Sequence, residues 1–126
     1  MPLVLQLIPG EFAVARLAPD ASLPAWADSR IFSTVTRTAE ELSIICPAAQ
    51  VPSDVKHERG WAMFKFRGPF EFTLTGILSS VLAPLAAAKI GILATSTFDT
   101  DYLFVKQEHL PPAIRALESA GHIVRQ

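Results

Sequence analysis

The sequence has a single cysteine, Cys46, among its 126 residues and a formal net charge of −1. One cysteine excludes an internal disulfide and a cysteine-rich metal site. The 11 Lys and Arg residues are balanced by 12 Asp and Glu residues, so no basic surface is available and we expect no nucleic-acid partner. With 50% hydrophobic and 18% charged residues, the composition is that of a folded chain, large enough for one compact domain or two small ones.

The apolar amino terminus is too short for a membrane span. Residues 1–8 are followed by Pro9 and Gly10, which end the apolar run well before the roughly 20 residues that a span requires. No positive charge flanks the run, as it would in a signal peptide, and its leucines alternate with other residues as in a strand. We therefore predict no membrane partner and a cytoplasmic location.

The sequence patterns of common catalytic sites are missing. No serine lies in a nucleophile-elbow pattern and no glycine-rich phosphate loop occurs. His57, His109 and His122 do not have the spacing of metal ligands, so we expect surface or structural roles for them. Cys46 lies in an apolar segment, which is typical of a small core residue rather than of a nucleophile. The sequence therefore predicts a protein with no enzymatic activity, no cofactor and no metal.

The first half of the chain is predicted to form short strands, with a brief helix beginning at Ser22. The predicted strands cover residues 12–17, 31–36 and 42–46. A polar break joins the last two strands as a hairpin. Residues 47–59 hold two prolines, mixed charge and few apolar residues, so we interpret them as a connector between a first domain (1–58) and a second domain (59–126). The alternative is an ordinary surface loop within one domain.

The second half has a clearer order of elements: strand, helix, strand, strand, helix, strand. The predicted strands cover residues 61–66, 92–98, 101–105 and 122–124, and the helices begin at Gly76 and at Pro111. Gly68 and Pro69 are expected to bend the first strand, and Gly91 to end the first helix in a left-handed conformation. This order packs two helices on one face of a four-stranded antiparallel sheet, which is the ferredoxin-like arrangement of the α+β class.

The start of the first predicted helix offers hydrogen-bond donors to a carboxylate. The first N–H groups of a helix have no partner within it, and the helix dipole is positive there. Pro84 has no N–H, so the carbonyl of Ser80 loses its helical partner and becomes available to a ligand. A simpler explanation remains open: Thr75 caps the helix, Gly76 forms a tight turn, and water satisfies Ser80.

The turn before the strand at 101–105 supplies an acceptor for an α-amino group. Asp101 begins a strand whose alternate residues are apolar, and a buried carboxylate is costly without a partner, which favours a binding role. Asp99 fits better as a turn former. We expect Gly76 and Asp101, with Thr97 beside them, to face one cavity that suits a free amino acid.

Several segments resemble the ACT domains of the CASTOR-type cytosolic arginine sensors. Residues 80–85 (SVLAPL), 96–105 (STFDTDYLFV) and 108–111 (EHLP) are similar to the second ACT domain of that family. Residues 32–38 and 42–45 resemble the strand pair of the preceding domain. The resemblance implies two ferredoxin-like (βαββαβ) ACT domains in tandem, with helices on one face of each antiparallel sheet.

The same resemblance implies a non-catalytic regulatory or sensor protein that holds a free amino acid, arginine or another small one, between the ACT domains of a homodimer. The ligand-binding positions that it implies are Gly76, Ile77, Leu78, Ser80, Val81, Thr97, Phe98 and Asp101. The alternative is a protein-interaction module that has no small-molecule ligand.

Overall fold

A computed structural model describes residues 2–67 and 75–126. Within these ranges the strands are β1 (Val4–Leu17), β2 (Thr34–Arg37), β3 (Leu42–Pro47), β4 (His57–Phe66), β5 (Ile92–Ser96), β6 (Asp101–Lys106) and β7 (Ile123–Arg125). The α-helices are α1 (Ile77–Ala87) and α2 (Leu110–Ser119). Short 3₁₀ turns cover Ala25–Ala27, Ala48–Gln50 and Gln107–His109. The predicted bend at Gly68 and Pro69 lies outside the described residues.

The chain forms two compact units, and the long strands β1 and β4 contribute to both. The larger unit consists of Met1–Pro9 and Ala62–Gln126, and the smaller unit of Gly10–Trp61. The division predicted at residue 58 grouped the first nine residues with the first half of the chain, whereas in the structure they lie in the larger unit.

In the larger unit, the strand order is β7-β1-β4-β6-β5. The predicted βαββαβ order is confirmed as β4-α1-β5-β6-α2-β7. The sheet has one strand more than predicted, however, because β1 lies between β4 and β7. The last strand, β7, pairs in parallel with β1 from Val4↔Ile123 to Gln6↔Arg125.

Both helices of the larger unit pack on one face of its sheet. The buried residues of α1 and α2 share a core with every second residue of the strands, and such residues all point to the same face. The members contributed by the strands are Leu5, Phe64, Phe66, Leu103 and Val105, and Leu3 joins them from just before β1. Phe64 and Phe66 are fully buried, and each contributes about 2–3 kcal/mol through the removal of apolar surface from water.

Helices α1 and α2 end in the same hydrogen-bond pattern, a Schellman motif. At the end of α1, the N–H of Ile90 donates to Leu85 O and that of Lys89 to Ala86 O, both at 3.0 Å. Lys89 takes the left-handed conformation at φ 61°. The prediction that Gly91 would do so is wrong, because the hydrogen bonds of the last turn require the left-handed residue two positions earlier.

The end of α2 places a glycine at the corresponding position. The N–H of His122 donates to Leu117 O and that of Gly121 to Glu118 O, again both at 3.0 Å. Gly121 has φ 95°, a conformation that costs glycine little.

We expect Gly121→Ala to destabilise the protein by about 1–2 kcal/mol, because an L-residue is strained at positive φ. Gly91→Ala is the matched control, since an added Cβ meets no atom within 4 Å at either position and Gly91 is not at positive φ. That substitution should stabilise the protein by about 0.4–1 kcal/mol through a lower entropy of the unfolded chain. Urea denaturation of the two variants measures both free energies of unfolding, and effects of the same sign would contradict the assignment of the helix ends.

In the smaller unit, the strand order is β2-β3-β1-β4. The predicted hairpin of β2 and β3 is confirmed, with antiparallel pairs from Thr34↔Ile45 to Arg37↔Leu42. Its core contains apolar side chains on alternate strand positions, three of them small, with a residue from each of this unit's two 3₁₀ turns packed against them. The members include Ala13, Ala15, Leu42, Ile44, Cys46, Ala27 and Ala48.

Residues 10–61, all of which are described, contain no α-helix. The prediction of two complete βαββαβ domains is therefore wrong for this part of the chain. The helix expected at Ser22 is reduced to the 3₁₀ turn Ala25–Ala27, in a connection interrupted by Pro19 and Pro24. Only residues 48–56 connect β3 to β4, and Pro52 interrupts them, which leaves too little chain for a stable helix.

None of the helices within residues 2–67 and 75–126 has the length and apolar character needed to cross a membrane.

Candidate functional site

The β5–β6 turn lies at the carboxyl end of β4. The hydroxyl of Thr100 donates to Phe66 O at 2.7 Å, and Thr100 is buried although it is polar. On the other side of β4, the N–H of Arg67 donates to Val4 O at 2.9 Å. The start of β1, the end of β4 and the turn before β6 therefore meet at one end of the larger unit.

A buried histidine brings the first turns of α1 to the same end. Pro84 has no N–H to donate to the carbonyl of Ser80, and His122 Nε2 lies 2.8 Å from that carbonyl oxygen. The other ring nitrogen, Nδ1, accepts the N–H of Leu3 at 3.1 Å, so the ring proton is assigned to Nε2, which donates to Ser80. His122 thus connects α1 to the start of β1.

These contacts correct both explanations offered for Ser80. Its carbonyl is neither open to a ligand nor satisfied by water, because His122 occupies it. Its hydroxyl donates to Ile77 O at 2.8 Å within the helix. The polar groups of Ser80 therefore serve the structure of α1. The spacing of Ser80 and Pro84 predicted that the Ser80 carbonyl has no partner within the helix. Its actual partner, His122, is 42 residues away in sequence, so no local pattern indicates it.

Gly76 gives α1 a start without a side-chain cap. It is exposed, has φ 77° and takes the N-cap position, where no side chain accepts a hydrogen bond from the helix. The expectation that Thr75 caps the helix is therefore wrong. The N–H of Ser80 donates to Gly76 O at 3.0 Å, so the preceding amides of Ile77, Leu78 and Ser79 have no partner within the helix.

The side chains of the other predicted positions on α1 are oriented mainly toward the protein interior. Ile77 and Val81 are 6% and 0% exposed and belong to the core. Leu78 is half-buried and packs against that core. Ile77 and Leu78 can therefore contact a polar ligand group through their backbone amides, whereas the side chain of Val81 cannot reach one.

The predicted residues of the hairpin lie around its turn. The N–H of Thr97 donates to Thr100 O at 2.8 Å, and Phe98 is 81% exposed at the tip. Asp101 is half-buried, and its Oδ1 accepts a hydrogen bond from the hydroxyl of Ser96. Asp101 shares a strand face with Leu103 and Val105, whose side chains lie under the helices.

A cavity of about 440 Å³ lies beside this hairpin turn. Its lining residues are Gln6, Ile8, Lys65, Arg67, Thr97, Asp99, Thr100 and Tyr102. Of the predicted binding residues it contains only Thr97; Gly76 and Asp101 do not line it. The strand residues in its lining alternate with residues of the helix-covered core, so they lie on the opposite face of the sheet.

The sequence patterns did not indicate Gln6, Lys65, Arg67 or Tyr102 as site residues. The available signal was a polar side chain at every second position of otherwise apolar strands, such as Lys65 between Phe64 and Phe66. That pattern is shared by any strand with one solvated face, so it did not distinguish a site from an ordinary surface.

The remaining reactive side chains support structural roles. Burial raises the pKa of the Cys46 thiol, which disfavours the reactive thiolate. The Arg59 guanidinium lies 2.9 Å from Glu11 Oε2, and this hydrogen bond, together with the attraction between the charges, raises the pKa of Arg59. Among residues 2–67 and 75–126, no three His, Cys, Asp or Glu side chains are placed to hold a metal ion.

The chain belongs to the ACT domain family, whose family model matches residues 56–119. A second family model, described as that of an N-terminal domain, matches residues 10–54. The prediction of an ACT domain is therefore confirmed for the second half of the chain. No curated protein matches the chain.

Solved structures have the same fold. A protein from Agobacterium tumefaciens is 43% identical, with a TM-score of 0.94 over 98% of this chain and 92% of that one. A protein of unknown function from Vibrio cholerae, described as a possible transport protein, is 16% identical, with a TM-score of 0.76 over 94% of this chain and 89% of that one. The regulatory subunit of aspartate kinase from Thermus thermophilus is 9% identical, with a TM-score of 0.65 over 93% and 97% of the two chains.

Proposed function

We propose that this protein is a non-catalytic, amino-acid-binding regulator that acts in the cytoplasm as a homodimer and holds its ligand between ACT domains. The observation that carries the proposal is the uncapped start of α1, where three successive amides lack helical partners. Such a helix end favours a carboxylate through both hydrogen bonding and the helix dipole.

Asp101 provides the complementary charge. Its Oδ1 accepts from Ser96, which fixes the carboxylate and leaves Oδ2 to accept from an ammonium group. The contacts made by Thr100 and His122 gather the hairpin turn and α1 at one end of the larger unit. A free amino acid carries both the carboxylate and the ammonium group that this pair of elements selects.

The fold neighbours support a regulatory role. One of them is described as a regulatory subunit of aspartate kinase, and another aspartate kinase is described as an allosteric enzyme. Binding between subunits regulates by favouring one arrangement of the dimer, to the extent that the ligand binds the two arrangements with different affinities.

The tandem arrangement is proposed in a modified form, in which the smaller unit is a reduced ACT domain. Its elements follow the order strand, 3₁₀ turn, strand, strand, 3₁₀ turn, strand. Numbered along the unit, its strands lie side by side in the order second, third, first, fourth, as in a ferredoxin-like sheet. Each α-helix is replaced by a three-residue 3₁₀ turn, and the alanines beneath these turns permit their close packing.

Thermal denaturation of the full chain against a panel of free amino acids tests the ligand. At about one hundred times its dissociation constant, the ligand should add about 2.7 kcal/mol of stability, which is a rise in Tm on the order of 10 °C for a chain of this size. Asp101→Asn should greatly reduce that rise, because the neutral amide cannot form an ion pair with an ammonium group.

Asp54→Asn is the matched control, since Asp54 is exposed and lies in the smaller unit; this variant should keep the full response. If no amino acid raises the Tm of the native protein, the proposal is wrong and an interaction module without a ligand is favoured. If Asp54→Asn also lost the ligand-induced rise in Tm, the effect of Asp101→Asn would not be specific, and Asp101 would no longer be assigned to the site.

A further inference from the structure

The cavity on the sheet face opposite the helices is built around the end of β4. Lys65 and Arg67 are two positions apart, so their side chains point to the same face. At the usual rise of a strand, their Cα atoms are about 6.5 Å apart. Gln6 and Ile8 approach from β1 and Tyr102 from β6, the two strands beside β4. Thr97, Asp99 and Thr100 form a wall from the β5–β6 turn.

The cavity contains two positive charges, those of Lys65 and Arg67, and one negative charge, that of Asp99. Neither Lys65 nor Arg67 forms an ion pair with a side chain of the described residues, and like charges on adjacent same-face positions repel. Lys65 is also half-buried, which increases the cost of leaving its charge without a counterion. An anion between the two side chains would offset both costs.

The negative charge of Asp99 comes from the β5–β6 turn, whereas the two positive charges come from the end of β4. A simple anion gains nothing from that carboxylate, whereas an ammonium group attached to the ligand pairs with it. Ile8 and the ring of Tyr102 offer apolar surface to a short carbon chain. The volume of about 440 Å³ falls within the usual size of small-molecule sites, roughly 300–1,000 Å³.

We propose that this cavity binds an acidic amino acid, that is, a small dicarboxylate that carries an ammonium group. Lys65 and Arg67 bind the two carboxylates, with the planar guanidinium of Arg67 suited to a bidentate contact. Asp99 binds the ammonium group. This site is separate from the start of α1 and from Asp101, neither of which lines it.

Isothermal titration calorimetry of the full chain with aspartate, glutamate and succinate tests the site. We expect saturable binding of aspartate or glutamate and weaker binding of succinate, which has both carboxylates but no ammonium group. Lys65→Met and Arg67→Met should each weaken binding at least about tenfold, the usual effect of losing a charged hydrogen bond. Asp99→Asn should remove the preference for the amino acid over succinate.

Arg115→Met is the control for the loss of one positive charge, because Arg115 is exposed on α2 and does not line the cavity. It should bind the ligand as the native protein does. Absence of saturable binding of all three compounds to the native protein would overturn the proposal. An equal loss in Arg115→Met would also do so, since binding would then follow net charge alone.

Folding of the variants does not limit the test. Amide chemical-shift changes in the native protein on addition of aspartate should be largest at Thr97, Asp99 and Tyr102. Changes centred on Ile77 and Leu78 instead would assign the binding to the start of α1 and contradict the second site.

Discussion

Phe64→Ala is expected to lower the free energy of unfolding by about 3–5 kcal/mol, because it removes a large buried ring and leaves a cavity. Phe64 belongs to β4 and is 0% exposed. Its side chain packs in the core between the sheet and the helices of the larger unit. Close-packed surroundings relax only partly around such a deletion, so the lost transfer energy and the cavity both contribute. Equilibrium denaturation in urea, followed by circular dichroism, measures the change.

Phe98→Ala is the matched control, since it deletes the same ring from a position that is 81% exposed. Surface substitutions usually change stability by no more than about 0.5 kcal/mol. If Phe98→Ala cost as much as Phe64→Ala, the hairpin tip would be buried in solution, and the assignment of the core would need revision. A variant Phe64→Leu, which keeps most of the volume, should recover much of the loss and remain measurable if the alanine variant does not fold.

His122→Ala is the second substitution with a large expected effect, about 2–4 kcal/mol. It leaves the carbonyl of Ser80 and the N–H of Leu3 without partners, and each unpaired buried polar group costs about 1–3 kcal/mol. His122 is 5% exposed, so water does not readily replace the ring. The control is His109→Ala, because His109 is exposed at the start of α2.

A double-mutant cycle with Pro84→Ala isolates the contact with Ser80. Alanine at position 84 has the N–H that proline lacks, and it can donate to Ser80 O as in an ordinary helix. We therefore expect His122→Ala to cost less in the Pro84→Ala background than in the native protein, by about 1 kcal/mol, the net value of a typical hydrogen bond. Purely additive effects of the two substitutions would show that the histidine does not substitute for the missing N–H.

The sequence predicted those features of the fold that depend on local pattern. The period of apolar residues identified α1 and α2, and polar turns between β-prone segments identified the β5–β6 and β2–β3 hairpins. Each of these elements is stabilised by residues within a few positions of one another, so its pattern is visible in a short window. The ACT resemblance of the second half had the same basis and is confirmed by the family match to residues 56–119.

Features that depend on distant partners were not predictable in this way. Alternation assigns residues to the faces of a strand but does not say which strand lies beside it, so the pairing of β7 with β1 was missed. The contact between His122 and Ser80 has the same character. The left-handed residue of α1 was misplaced for a different reason: Gly91 has the better local propensity, but the geometry of the last turn requires Lys89. The resemblance also implied helices in the smaller unit, where prolines interrupt both connections and the second connection, residues 48–56, is short.

The sharing of β1 and β4 between the two units limits how the gene can be shortened. A fragment restricted to the family-matched segment, residues 56–119, would omit β1 and β7 together. The edge of β4 that normally pairs with β1 would then be open to other chains, which makes aggregation the expected fate of such a fragment. A shortened protein that keeps β4 paired with β1, and β1 paired with β7, must therefore begin before Val4 and extend through β7.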